Sequence, residues 1–356
     1  MLGPMNIFSD HLAIDLGTDR TLLYTINGGI VINEPSVVAF GVSGESRPHI
    51  VAAGEKAQNM LGKTPARVKV IRPIQDGAIV NFEATCAMLK QFIRTGCKRR
   101  KLSGFQVVVA VPSGITPVEM DAVMDTVKLL GAGKVFLIEG ALAGALGAGL
   151  PINEPRCNMV VDIGGGKTEV SVISLGGIVS SRSVRVGGGC MNTAIQNFIK
   201  RKYKLLIGTL SAEKIKTTIG NACPNPEDQT TQMVKGRDLT SGIPKVIPIG
   251  PREIRKAISA EIDTILQTVR CVLEDIPPEL AADVLDQGIL LVGGGALMTN
   301  MDQLLCQDIG LAITVPDNPS STVVLGAAKA LENLNLKGFN RNVNSIPSPI
   351  LASFKG

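Results

Sequence analysis

The chain has 356 residues, with 36 Lys+Arg against 31 Asp+Glu and a formal net charge of +5. That length makes room for roughly two to three domains, and the basic excess is too small and too scattered for a dedicated nucleic-acid binder. Hydrophobic residues make up 45% with aromatics at 3% and no Trp, which favours the aliphatic packing of parallel sheets and leaves no apolar stretch of the roughly 18–20 residues that span a bilayer.

In chain order, the first strong signal is Leu12–Thr18, LAIDLGT, an apolar run closed by Asp-x-Gly-x and followed by the strand-like TLLYTI. It reads as strand, tight glycine turn, strand. Phe82, Cys86, Leu89 and Ile93 recur at helical spacing, which predicts an amphipathic helix over 82–95. VVVAVPS (107–113) and KVFLIEG (134–140) are short buried strands. Between them Thr116-Pro117-Val118-Glu119 is a capping box with Pro at the first helical position, opening a helix that Gly131 ends. MVVDIGGGKT (159–168), followed by EVSVISL, repeats the opening pattern about one domain further on. Residues 252–275 read as one long helix halted by Pro277-Pro278, and ILLVGGG (289–295) as a third strand running into a glycine turn. From Lys337 the periodicity is lost. The strand–helix alternation and the internal echo predict two similar α/β domains facing each other across a cleft.

The two Asp-Gly turns suit phosphate chemistry. A strand ending in such a turn exposes backbone N–H groups around a small concavity fitted to phosphate oxygens, and glycine permits the close approach. A carboxylate at each strand end can hold the waters of Mg²⁺, which keeps much of its hydration shell. Asp15 with Gly17 and Thr18, and Asp162 with Gly164, Gly165 and Gly166, are therefore the predicted phosphate loops and, through water, the predicted Mg²⁺ positions. Gly293-Gly294-Gly295-Ala296-Leu297 is a third candidate loop.

Seven scattered cysteines (86, 97, 157, 190, 223, 271 and 306) without a Cys-x-x-Cys pair indicate thiols in a reducing compartment. His11 and His49 are too few for a histidine metal site. The start, MLGPMNIFSD, lacks the basic and apolar regions of a secretory signal. A cytoplasmic protein is expected, with attachment to a membrane surface left open.

IDLGT, VVDIGGG and LLVGGGAL together resemble the actin/heat-shock-chaperone/sugar-kinase superfamily, whose third loop holds adenosine. INEPSVVAF (32–40), MLGKTP (60–65), IRPIQDGAIVNF (71–82), EVSVISLGGIV, SAEKIKTTIG (211–220) and PPELAADVLDQGILLVGGGAL (277–297) narrow the resemblance to MreB-type bacterial actins, from about Phe8 to about Leu336. The resemblance implies an α/β, actin-like bilobed fold: two duplicated domains with mostly parallel or mixed sheets around a cleft for ATP and Mg²⁺. Domain I would span 1–145 plus about 320–336, with a subdomain over about 33–65; domain II would span 146–319, with a subdomain over about 181–245; and 337–356 would be a tail. Carried over by position, Thr18, Asp19, Arg20, Gly164, Gly165, Gly166, Lys167 and Gly188 would contact phosphate. Glu213, Lys214 and Lys216 would bracket the nucleoside, and Gly293 to Leu297 would hold adenosine. The resemblance also implies self-assembly into filaments, a peripheral place at the inner face of the cell membrane, and partners among cell-shape and wall-synthesis membrane proteins. A filament with a non-shape role, positioning an organelle or plasmid, is the alternative. A sugar kinase would need a longer chain, and a chaperone ATPase a separate substrate domain.

The departures from the family cluster at the chemistry. Its DLGTANT becomes Asp15-Leu16-Gly17-Thr18-Asp19-Arg20-Thr21, and in its DIGGGTTEV the first Thr becomes Lys167. Its LIEEPMAAAIG becomes Leu137-Ile138-Glu139-Gly140, which puts Gly140 where a water-positioning Glu is expected, and its RIGGDRFDEAI becomes Arg185 to Asn192 with Gly189 and Asn192 at the two Asp positions. Loss of an orienting group costs about 10²–10⁴-fold in rate, so weak or lost ATPase activity is expected, with Glu139 and Glu169 the remaining candidates to orient water. Lys167 is expected to meet a phosphate as a point charge. In Cys97 to Phe105, the cations Lys98, Arg99, Arg100 and Lys101 beside Leu102 and Phe105 are expected to meet anionic lipid, with the two apolar side chains inserted.

Overall fold

The computed structural model describes residues 11–41, 49–97, 104–224 and 230–336. The chain divides into two compact units. One holds the chain up to Glu154, the turn Leu175–Gly177 and the segment from Ser321; the other holds Pro155–Ser174 and Ile178–Ser320.

The first unit is built on β1 (Leu12–Leu16), β2 (Arg20–Thr25), β3 (Gly29–Pro35), β9 (Phe105–Val111) and β10 (Ala132–Glu139), in the order β10-β9-β1-β2-β3. β1 runs antiparallel to β2 and parallel to β9, which is parallel to β10. Both faces are covered, which is why these strands read as continuous apolar runs. Leu12, Ile14, Leu23, Val107 and Val109 pack with Met88 and Phe92 of helix α2 (Phe82–Gly96) and Val123 and Val127 of α3 (Pro117–Leu129). Ala13, Leu22, Val108 and Phe136 pack with Val324, Ala327 and Leu331 of α11 (Thr322–Leu336). α11 also lies on α4 (Gly140–Ala148), where Gly326 faces the Ala143 carbonyl and Gly147 the Thr322 carbonyl, so the two helix backbones meet directly. Asn81 caps α2 by accepting from Ala84 N–H, and Thr116 and Glu119 close a reciprocal capping box on α3. Smaller pieces complete the unit: α1 (Glu55–Gln58), a sheet of β4 (Val38–Gly41), β5 (His49–Ala53) and β6 (Val68–Ile71), and a hairpin of β7 (Ile74–Gln75) and β8 (Ala78–Ile79). That hairpin turns on Asp76-Gly77, both at positive φ, the pairing that two-residue hairpins favour.

The second unit repeats the scheme with β11 (Asn158–Ile163), β12 (Thr168–Ser174), β13 (Gly177–Val184), β17 (Ile289–Val292) and β18 (Ile313–Thr314), in the order β13-β12-β11-β17-β18. β11 is antiparallel to β12 and parallel to β17, as β1 is to β2 and β9. Around it stand α5 (Gly188–Tyr203), α6 (Thr209–Ile219), α7 (Pro251–Ala257), α8 (Ser259–Asp275), α9 (Pro278–Gln287), α10 (Met301–Ile309) and a small sheet of β14 (Leu205–Leu206), β15 (Gln232–Asp238) and β16 (Pro244–Ile249).

The helix predicted over 252–275 is two helices, parted at Ile258, whose φ and ψ are −103° and 7°. The parts pack on different partners, α7 on α5 and α6 and α8 on β12 and α10. Arg255 further anchors α7 by donating to the Asn221 and Cys223 carbonyls. Pro278, expected only to stop a helix, also starts α9. No helix of the described residues is long and apolar enough to cross a membrane.

Candidate nucleotide-binding loops

In the first unit the turn between β1 and β2 is fixed from behind. A Cβ on Gly17 would lie 2.5 Å from the Arg20 carbonyl oxygen, so the turn admits only glycine. The buried Ser36 hydroxyl donates to the Gly17 carbonyl (2.6 Å) and shares a hydrogen bond with Thr21 (2.9 Å), while Ser36 N–H donates to the Asp19 carbonyl (2.8 Å). The three side chains assigned to phosphate by resemblance all have partners within the unit. Thr18 Oγ1 accepts from Gly77 N–H at 2.9 Å, Asp19 pairs with Arg72 at 3.1 Å, and Arg20 donates to the Asn33 side chain and carbonyl. Asp15 stands at the end of β1, opposite Leu22 and Ala110 in register.

In the second unit the turn between β11 and β12 is held by main-chain bonds to the start of α5. Gly188 N–H donates to the Gly164 carbonyl (3.0 Å), Gly189 N–H to the Gly165 carbonyl (2.7 Å), and Thr168 Oγ1 to the Val186 carbonyl (2.7 Å). Asp162 lies opposite Glu169 in register. The Lys167 ammonium sits on Glu169 at 2.5 Å, with the two side chains 18% and 6% exposed. Burial first, and then the Glu169 charge, push the Asp162 carboxyl up to about 6 against the pull of Lys167. The glycine turn after β17 belongs to the same cluster. Gly293, at φ 83°, faces Asp162 so closely that a Cβ would lie 2.2 Å from its Oδ1, and Gly294–Leu297 then forms a 3₁₀ turn with Ala296 buried and Leu297 exposed.

Beside the start of α5, α6 presents Glu213, which accepts from Lys216 (2.8 Å) and from Asn192 of α5. Lys216 also donates to the Gly188 carbonyl at 3.0 Å. Gly188, Glu213 and Lys216 thus form one group, whereas Lys214 is exposed on α6. Asn192 Oδ1 is buried with no hydrogen-bond partner among the described residues.

Glu139 ends β10 and Gly140 begins α4 in the first unit, while Glu169 belongs to the second. A Cβ on Gly140 would meet only the Val111 carbonyl, at an ordinary 3.5 Å. Phe105, expected to insert into lipid, is instead 1% exposed in the core of the first unit. As the first residue of β9 it packs inward, because every β9 residue but Gln106 is buried. Lys98 to Ser103, the N-terminal ten residues and the tail from Lys337 lie outside the described residues.

Ser36, Thr21, Asn33, Arg72 and Thr168 carry no site signal of their own in the sequence; Ser36 and Asn33 are marked only by lying within INEPSVVAF. Among the described residues no group of three or more His, Cys, Asp or Glu gathers as an inner-sphere metal site. The facing carboxyls of Asp162 and Glu169, with their mutual repulsion, suit a cation held through water, the mode that Mg²⁺ favours with one or two carboxylates.

Two units of one strand order, each with an Asp-x-Gly turn leaving its central strand, define an actin-like fold. The MreB/Mbl protein family model matches residues 9–338, and the chain belongs to that family. It is 44% identical over 334 residues to the cell shape-determining protein MreB of Escherichia coli K12, covering 93% of this chain and 96% of that one. It is 40% identical over 329 residues to the cell shape-determining protein Mbl of Bacillus subtilis 168, covering 92% and 98%. The crystal structure of MreB 5 of Spiroplasma citri bound to AMPPNP superimposes with a TM-score of 0.87 at 33% identity, covering 93% and 99%; the same protein is also solved bound to ADP, with the same scores.

Proposed function

We propose that this protein binds Mg-ATP, assembles with its own copies into filaments at the inner face of the cell membrane, takes part in cell-shape determination with wall-synthesis membrane proteins, and hydrolyses ATP slowly. The observation that carries the reading is the repeated strand–Asp-x-Gly–strand loop, one in each unit. The cell-shape names of its relatives and the nucleotides bound to the Spiroplasma protein support it.

In this reading the turns at Gly17–Thr18 and Gly164–Gly166 offer main-chain N–H groups to the phosphates. Asp15 and Asp162 hold water around Mg²⁺, which offsets phosphate charge. Gly293 to Leu297 face the adenosine, and Glu213 and Lys216 its sugar side. Slow hydrolysis follows from what stands near the turns. Phosphoryl transfer to water asks the protein chiefly for positioning and charge; Gly140 has no side chain to orient a water, and Glu169 is bound to Lys167.

Electron microscopy of the purified protein with ATP, ADP or no nucleotide, with phosphate release measured beside it, tests the reading. Filaments should form with ATP, and phosphate release should run at least about tenfold below that of the E. coli relative assayed in parallel. Absence of filaments with every nucleotide would remove the assembly reading, and equal phosphate release the slow-hydrolysis reading. Membrane attachment rests on Lys98 to Lys101. Replacing these four by Ser should lower co-sedimentation with anionic liposomes, as should added salt; binding indifferent to both would assign attachment elsewhere.

A further inference from the structure

The charge arrangement of the second loop distinguishes it from the first. Asp15 faces Leu22 and Ala110 across the sheet, so no second carboxyl stands opposite it. Asp162 faces Glu169, and without compensation that hairpin would bring two buried-side carboxylates to the place where a nucleotide's phosphates are proposed to sit. Like charges at such separations repel strongly in a medium of low dielectric, and further anionic charge from phosphate would add to the repulsion. In a site of this kind a divalent cation ordinarily resolves the conflict. Here the chain carries its own cation. Lys167 projects from the turn onto Glu169, and both side chains are largely shielded from water. The bond is charge-assisted, the stronger class of hydrogen bond. The turn that carries Lys167 is fixed by Gly164 N–H donating to the Lys167 carbonyl and by the bonds of Gly164 and Gly165 to α5. The backbone from which the ammonium projects is therefore fixed.

We infer that Lys167 is a resident cation of the second phosphate loop, and that nucleotide binding by this protein depends only weakly on Mg²⁺. The inference rests on the nucleotide reading above and adds the source of positive charge. A Thr at this position would remove the Lys167 charge from the loop and increase its reliance on the metal.

Titration calorimetry of the full chain with ATP, in excess MgCl₂ and in excess EDTA, tests it. For the unaltered protein, removing Mg²⁺ should weaken binding by less than about tenfold. In Lys167→Thr the ratio of the two affinities should grow by at least about tenfold, the low end for losing one charged hydrogen bond. Lys167→Arg, which keeps the charge, should retain the small ratio. Thermal melts check that each variant folds, and the unaltered protein in EDTA decides the matter should Lys167→Thr fail to fold. Loss of all binding by the unaltered protein in EDTA, or an unchanged ratio in a folded Lys167→Thr, would overturn the inference. Absence of binding even with Mg²⁺ present would instead refute the nucleotide reading itself.

Discussion

The turn after β1 and the turn after β11 leave the same kind of strand pair through the same Asp-x-Gly signal, yet they are secured by different means. Neutral hydroxyls hold the first: Ser36 and Thr21 stand behind it, and Thr18 receives the N–H of Gly77. Main-chain bonds to α5 hold the second, and a lysine–glutamate pair lies beside its aspartate. The difference shows that one duplicated frame tolerates two kinds of chemistry, because the sheet order and register position the aspartate irrespective of what faces it. Charged, divergent side chains occur at both loops: in the first, Asp19 pairs with Arg72 and Arg20 turns to Asn33, away from the central aspartate's strand, whereas in the second Lys167 sits on Glu169, opposite Asp162.

Four experiments test this contrast. The largest effect on binding is expected at the aspartates. Asp162→Ala and Asp15→Ala should each weaken Mg-ATP binding by about tenfold at most, the low end for removing a group that orients a metal's ligands; an unchanged titration for either would take its loop out of the site. Next comes Glu169→Gln, which strips Lys167 of its charged partner and should lower unfolding stability by about 2 kcal/mol in chemical denaturation. A negligible change there would mean that the gain from the pair is offset by the repulsion between Glu169 and Asp162.

The chemical step offers the third comparison. Gly140→Glu combined with Lys167→Thr should raise phosphate release at least about tenfold, since a Cβ at residue 140 meets nothing closer than an ordinary contact. If the rate stays flat, the missing orienting group is not what limits hydrolysis. The smallest effect belongs to Ser36→Ala. It leaves the Gly17 carbonyl and Thr21 hydroxyl without their bonds and should cost about 1 kcal/mol, with a proportionate loss of ATP affinity if the first loop relies on this brace.

The frame was the readable part of the sequence. Apolar runs ending in Asp-Gly located β1 and β11, and the Thr116–Glu119 spacing located the start of α3, because each of these features is set by neighbours within a few positions. The partners of long charged side chains were not readable. Lys167 could reach a phosphate or a carboxylate, and only the β11–β12 register, which brings Asp162 opposite Glu169, shows the local demand for a cation. Arg20 turning to Asn33 depends likewise on the pairing of β2 with β3. The break at Ile258 was hidden because Ile254, Ile258 and Ile262 keep helical spacing through it. Phe105 misled for the opposite reason: four cations beside it suggested a lipid-facing loop, while its own place at the head of β9 directed it inward.

The packing of α11 on the first sheet bears on biosynthesis. The face of the first sheet formed by Ala13, Leu22, Val108 and Phe136 is covered by Val324, Ala327 and Leu331. Those covering residues are made only after every strand of the second unit's sheet, the last of which is Ile313–Thr314. Domains ordinarily fold in the order in which they leave the ribosome. Here the unit synthesised first waits with an uncovered apolar face until Thr322–Leu336 has been made, after the second unit's strands. The nascent chain therefore closes its N-terminal unit last, and a message truncated before Thr322 would yield a product with that face exposed to chaperones and proteases.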